Sequence, residues 1–105
     1  MSDIDSATYE KEFADQGLLF EYGSDKPGLV YTPHRHGWTK LITLGGSLRI
    51  RLDDKSWQEL KAGDVIEIDS DQLHEAIVGP DGWKWLSAWK PEEDDTFVVH
   101  QDEGA

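Results

Sequence analysis

Apolar and polar positions alternate along this chain over short runs. Leu48, Ile50 and Leu52 alternate with Ser47, Arg49 and Arg51, the period-two pattern of a strand with one buried face. Runs of similar character recur at 18–22, 29–32, 40–44, 57–60, 65–68, 74–78 and 83–90, with 97–100 as a last edge strand. Turn residues separate them: 23–28, Gly45-Gly46, Asp53-Asp54-Lys55, Gly63-Asp64, 69–72 and Gly79-Pro80-Asp81-Gly82. One segment departs from this pattern. Tyr9 and Phe13 stand four apart, which predicts a turn or two of helix over about 7–15, capped by Ser6 and ended by Gly17. About eight or nine short strands with regular turns predict an all-β domain, an antiparallel sandwich or small barrel. No linker or repeat interrupts 17–100, so residues 1–105 read as one domain, with 1–6 and 101–105 as flexible ends.

The β reading gives meaning to Pro33-His34-Arg35-His36-Gly37-Trp38-Thr39-Lys40. On a strand, side chains at i and i+2 share a face, about 7 Å apart. His34 and His36 would then lean onto one divalent ion at about 2.0–2.1 Å per nitrogen. On a helix the same pair would lie about 200° apart and share nothing. Pro33, with β-branched and aromatic residues before it, favours the extended form. His74 opens a later strand after a polar loop. Three imidazoles at one point make a neutral facial set suited to Zn, Fe, Ni, Mn or Cu.

Composition narrows the chemistry. The chain has no cysteine, so any metal rests on His, carboxylate or backbone ligands. Twenty-two acidic against 10 basic residues give a formal charge of −12, which repels nucleic acid and anionic lipid at long range. No run approaches the ~18 apolar residues of a membrane helix, and the acidic opening has no apolar core of a secretory signal. The expectation is a cytoplasmic protein with no nucleic-acid or membrane partner.

Gly28 with His34 and His36, and Gly63 with Asp69, Asp71 and His74, form two motifs within about residues 28–90 that resemble those of the cupin superfamily. Five residues separate Gly28 from His34, with His36 following, as in the first cupin motif. Five residues separate Gly63 from Asp69, and Asp71 and His74 fall on the Gly and His of the second. The resemblance implies a double-stranded antiparallel β-helix, a jelly-roll barrel, with His34, His36 and His74 as metal ligands in its mouth. It also implies a homodimer and a small-molecule ligand or substrate. The motif's Glu ligand, separated from the second His by three or four residues, is replaced at spacing three by Lys40. The closing Gly falls at Ser47, one step after Gly46, and the final Asn falls at Val78.

Strand parity counted from the histidines puts Lys40 on their face. There it would handle a proton as a catalytic residue, hold a carboxylate of substrate or protein, or take the place of the metal altogether. Trp83, Trp85 and Trp89 share one strand face, as core or dimer interface; the sharper reading makes Trp85 and Trp38 walls of a substrate pocket. Four acidic turn residues, Asp53, Asp54, Asp69 and Asp71, are read as turn formers, and His100 as outside the site. Two functions remain open. One is a metal-dependent enzyme, the resemblance suggesting a dioxygenase or a sugar or sugar-acid isomerase. The other is a non-catalytic binding barrel, without metal if Lys40 displaces it.

Overall fold

The computed structural model describes residues 5–91. The expected strand at 97–100, with His100, lies outside the described residues. The order is α1 (Ser6–Asp15), β1 (Leu19–Asp25), β2 (Val30–His34), β3 (Thr39–Leu52), β4 (Gln58–Lys61), β5 (Val65–Ile68) and β6 (His74–Trp89). Among the described residues there are six strands rather than eight or nine, because two pairs of expected strands are single long ones. β3 runs 14 residues through Gly45-Gly46, and β6 runs 16 residues through Gly79-Pro80-Asp81-Gly82.

The register explains this difference. β3 and β6 pair antiparallel from end to end, and Gly46 opposite Trp83 is followed by Leu48 opposite Val78. Ser47 therefore faces four residues of β6. The Gly-Pro-Asp-Gly run is an excursion within a strand that keeps its direction, and such insertions bend a sheet sharply. Gly46 sits inside the bend at φ 67°, where a Cβ would lie 1.9 Å from the Gly82 carbonyl oxygen. The bent β3–β6 ribbon takes β1 and β2 against β6, and β4 and β5 against β3. The result is a double-stranded antiparallel β-helix.

Two further expectations, one of a turn and one of a helix cap, are corrected. β1 continues through Gly23 to Asp25. Gly23 is there because the ring of its partner Trp85 lies over it, 2.1 Å from where a Cβ would stand. The helix is capped by Asp5, not Ser6: its carboxylate accepts from the Thr8 amide and hydroxyl, and the hydroxyl bond is the larger cause of its lowered pKa.

The alternation in β3 and β6 separates two apolar layers. Inside the barrel, Leu48, Ile50, Leu60, Ile68, Val78 and Trp83 form one core. On the outer face, Phe13 of α1 closes over Ile42, Leu86 and Ala88, flanked by Tyr9 and Phe20. The helix is short and only weakly amphipathic, so this packing holds it in place. No helix among the described residues is long and apolar enough to cross a membrane.

Candidate metal centre and its cavity

His34 ends β2 and His74 begins β6, and the register makes them direct cross-strand partners. Facing residues in such a pair have Cβ atoms about 4.5–5.5 Å apart, so the two rings meet without any special loop. His36 arrives differently. It lies past the end of β2, in the connection to β3. Its carbonyl accepts from the Asp71 amide at 2.9 Å, which ties this connection to the loop before His74. Asp71 holds φ 64°, the left-handed region that Asp tolerates better than most residues. This explains how Asp71 serves at a motif position that calls for Gly.

The three rings converge. Their centroids lie 4.2 Å (His34–His74), 4.6 Å (His36–His74) and 5.4 Å (His34–His36) apart, and one ring nitrogen of each lies within 4.8 Å of the others. Ordinary bond lengths to a shared ion require nitrogens about 2.9–3.4 Å apart, reachable by small ring rotations. The tautomers are set by the backbone. Nδ1 of His34 lies 2.6 Å from the Thr32 carbonyl, that of His36 2.8 Å from Gly37, and that of His74 2.9 Å from Gln72. A carbonyl only accepts, so each Nδ1 carries the proton and each Nε2 the lone pair. Ligating histidines are oriented by this kind of bond. The donor set fits one divalent ion.

Beside the histidines the barrel interior opens into a cavity of about 140 Å³. Thr39 and Leu41 of β3 line it, together with Tyr31, Trp83, Trp85 and Glu21. Lys40 does not. It lies on the opposite face of β3, with Nζ 3.6 Å from Glu12 of α1. The parity count fails because His36 is in a connection rather than on the strand, so alternation cannot be carried across it. At spacing four the motif's Glu position falls on Leu41, which does face the cavity. A carboxylate reaches this space from elsewhere: Glu21 pairs with Ser87, which pairs with Leu41, so the three form one row across β1, β6 and β3. We expect Lys40→Ala to leave divalent-ion affinity within about twofold and to cost under about 1 kcal/mol, as for a partly exposed ion pair. Titration of the purified variant checks this.

Trp38 is also outside the cavity. Its indole N–H donates to Glu67 at 3.3 Å and Lys90 lies 5.1 Å over its ring. Trp85 and Trp83 both line the cavity. Both indoles are pinned from behind. Trp83 donates to the Thr43 hydroxyl at 3.0 Å and Trp85 to Asp25 at 3.2 Å. Asp25 also accepts from the Tyr31 hydroxyl at 2.5 Å.

Sequence reasoning missed Glu21, Tyr31 and Asp25. Their signal was faint: Glu21 alternates with Phe20 and Tyr22 like any strand polar residue, and Asp25 sat inside an apparent turn.

Burial first, and then the bond to Asp25, push the Tyr31 hydroxyl well above its ordinary pKa. The folded state therefore favours the neutral phenol. That contribution is complete below the unfolded value of about 10 and is lost as pH rises beyond it. Stability should fall above about pH 10. Urea unfolding across pH 8–11 should show a shallower alkaline decline in Tyr31→Phe than in the parent. Tyr22, raised by burial and by its bond to Glu10, adds to the decline in both proteins.

A scan against known protein families matches none, and no curated protein matches in sequence. Solved structures do match. A cupin-like protein from Thermotoga maritima superposes with a TM-score of 0.63 at 25% identity, over 70% of this chain and 57% of that one. This chain thus spans little more than half of that protein's length. KdgF from Halomonas sp. gives 0.62 at 21% identity, over 74% of this chain and 73% of that one. A Bacillus subtilis oxalate decarboxylase described for its Mn(II) centres gives 0.63 at 20%, over 70% of this chain and 21% of its own. The chain is a cupin by fold. Within that fold it carries a three-histidine group beside an aromatic cavity.

Proposed function

We propose that this protein is a metal-dependent cupin that holds one divalent ion on His34, His36 and His74 and works on a small organic molecule in the adjoining cavity. The observation that carries the reading is the meeting of the three rings, one nitrogen of each within 4.8 Å of the others, with every Nδ1 beside a backbone carbonyl. Bound there, an ion would supply Lewis-acid polarisation of a ligand oxygen, or redox chemistry if it is iron. Mn, Zn, Fe and Ni all suit three imidazoles, and the Mn(II) centres of the oxalate decarboxylase favour the first.

The chain's own groups define the rest. Trp83 and Trp85 exclude water from one side and set the width of the space. The Tyr31 hydroxyl is committed to Asp25, and Glu21 brings a carboxylate to the same wall. A metal-dependent lyase, isomerase or dioxygenase acting on an oxygen-bearing small molecule is the enzyme reading. The competing reading, a barrel that binds without turnover, draws on a wall that is mostly apolar and aromatic. We retain a homodimer as the expected assembly, supported by the exposed apolar residues Leu19, Tyr22, Leu29 and Val30.

Reconstitution with each metal in turn, followed by measurement of bound ion per chain, tests the centre. One ion per chain supports it, and failure to retain any of these ions overturns it.

A further inference from the structure

We propose that the cavity takes a small ligand bearing an onium cation, its cationic head against Trp83, Trp85 and Tyr31 and facing Glu21. This rests on reading the cavity as the ligand site, but not on the ion.

Three observations converge on it. The first is the wall. The indole N–H of Trp83, the indole N–H of Trp85 and the Tyr31 hydroxyl are all bonded to Thr43 or Asp25, and neither of those residues lines the cavity. The polar handles are thus turned outward, and ring carbon surface remains to meet a ligand. The Trp83 and Trp85 rings adjoin, centroids 5.8 Å apart and planes tilted by 37°, so the two make one aromatic wall. Such faces carry negative quadrupole potential and attract quaternary cations.

The second is charge. Glu21 lines the cavity, and among the described residues no Lys or Arg does. Asp25 stands behind two of the three rings, and the chain as a whole carries −12. That field concentrates cations and repels anions. A ligand that is only an anion would have the three histidines and any ion they hold on one side and a carboxylate on the other. A polyol would find few hydroxyl partners besides Thr39 and Ser87.

The third is size. A cavity of about 140 Å³ is below the ~300–1,000 Å³ typical of drug-sized clefts. It admits a head group such as trimethylammonium and a short tail. A zwitterion would lay its oxygen toward the histidines and its cation toward the rings.

The test uses the full chain, stripped of metal by chelation, and two probes of nearly one shape: choline, and its uncharged carbon isostere 3,3-dimethyl-1-butanol. Binding is followed by tryptophan fluorescence and calorimetry. We expect choline to bind about tenfold more tightly than the isostere. Glu21→Gln, a same-shape change at an exposed side chain, should erase most of that preference while leaving isostere binding within about twofold. Trp85→Phe should weaken choline at least severalfold and keeps an aromatic ring if larger changes unfold the barrel. Equal binding of the two probes, tighter binding of malonate than of choline, or an unchanged preference in Glu21→Gln would each overturn the proposal. Because no metal is present, the outcome is independent of the ion measurement. Choline failing while the histidines load stoichiometrically sinks only this inference. Choline binding to a protein that never holds an ion sinks only the metal centre.

Discussion

Replacing His74 with alanine will lower bound divalent ion from about one per chain to under about one tenth after dialysis. Three imidazoles are the smallest protein set that commonly holds such an ion, with the remaining positions left to water or substrate. No carboxylate stands within ligand reach of the three nitrogens among the described residues, so nothing replaces a lost imidazole. His34→Ala and His36→Ala should behave alike, because each supplies one oriented Nε2. Elemental analysis reads the loss directly. Thermal unfolding gives a second readout: an ion at 100 times its dissociation constant stabilises the folded parent by about 2.7 kcal/mol, and the variant should gain none of this. His74 is 5% exposed, so the metal-free variant must be compared with the metal-free parent to remove the packing loss. A variant that keeps its ion within about twofold of the parent would show that these histidines are not the ligands.

The second large effect lies away from the site. Gly46→Ala should destabilise the domain by about 3 kcal/mol or more, a large share of the roughly 5–15 kcal/mol available to a domain of this size. Two causes add. At φ 67° an alanine incurs the left-handed penalty of about 1–2 kcal/mol. Its Cβ would also lie 1.9 Å from the Gly82 carbonyl oxygen and 2.7 Å from its carbon. Both are backbone atoms, so no side-chain rotation relieves the overlap, and the β3–β6 ribbon must part at its bend. Gly17→Ala is the control. Gly17 has φ 75° but nothing within 4 Å of a Cβ, so it feels the conformational penalty alone. Urea unfolding of both variants separates the causes. If Gly46→Ala costs no more than Gly17→Ala, the tight approach at the bend is not what requires glycine. Straightening the bend would also shift Trp83, which pairs with Gly46, and so disturb the cavity.

That bend marks where sequence reading reached its limit. Alternation found β5 at its full extent and placed β4 to within a residue. It could not tell a reversal at Gly79–Gly82 from an excursion, because the two use the same residue types. The distinction is made by what lies opposite: Ser47 pressed against Gly79, and Gly46 against Gly82. The site divides the same way. The histidine spacing and motif glycines were visible in one dimension, and so was Trp85. Lys40 was misplaced by carrying strand parity through a bend at Gly37, and Trp38 by its nearness in sequence to the histidine pair. Glu21 and Tyr31 come from strands whose own patterns are ordinary, and they gain meaning only from the register that sets them beside Trp85.

By itself, the sequence determined the chemistry available: a β-forming chain, imidazole in place of thiolate, glycines and aspartates able to turn, and a strongly negative surface. Those follow from side-chain identity and local backbone preference, which act over a few residues. The tertiary structure decided who meets whom: His34 opposite His74, Lys40 with Glu12 outside the barrel, and Glu21 in the row of Leu41. Those meetings depend on strand register and on the bend in β3–β6, and both are set by contacts between residues tens of positions apart.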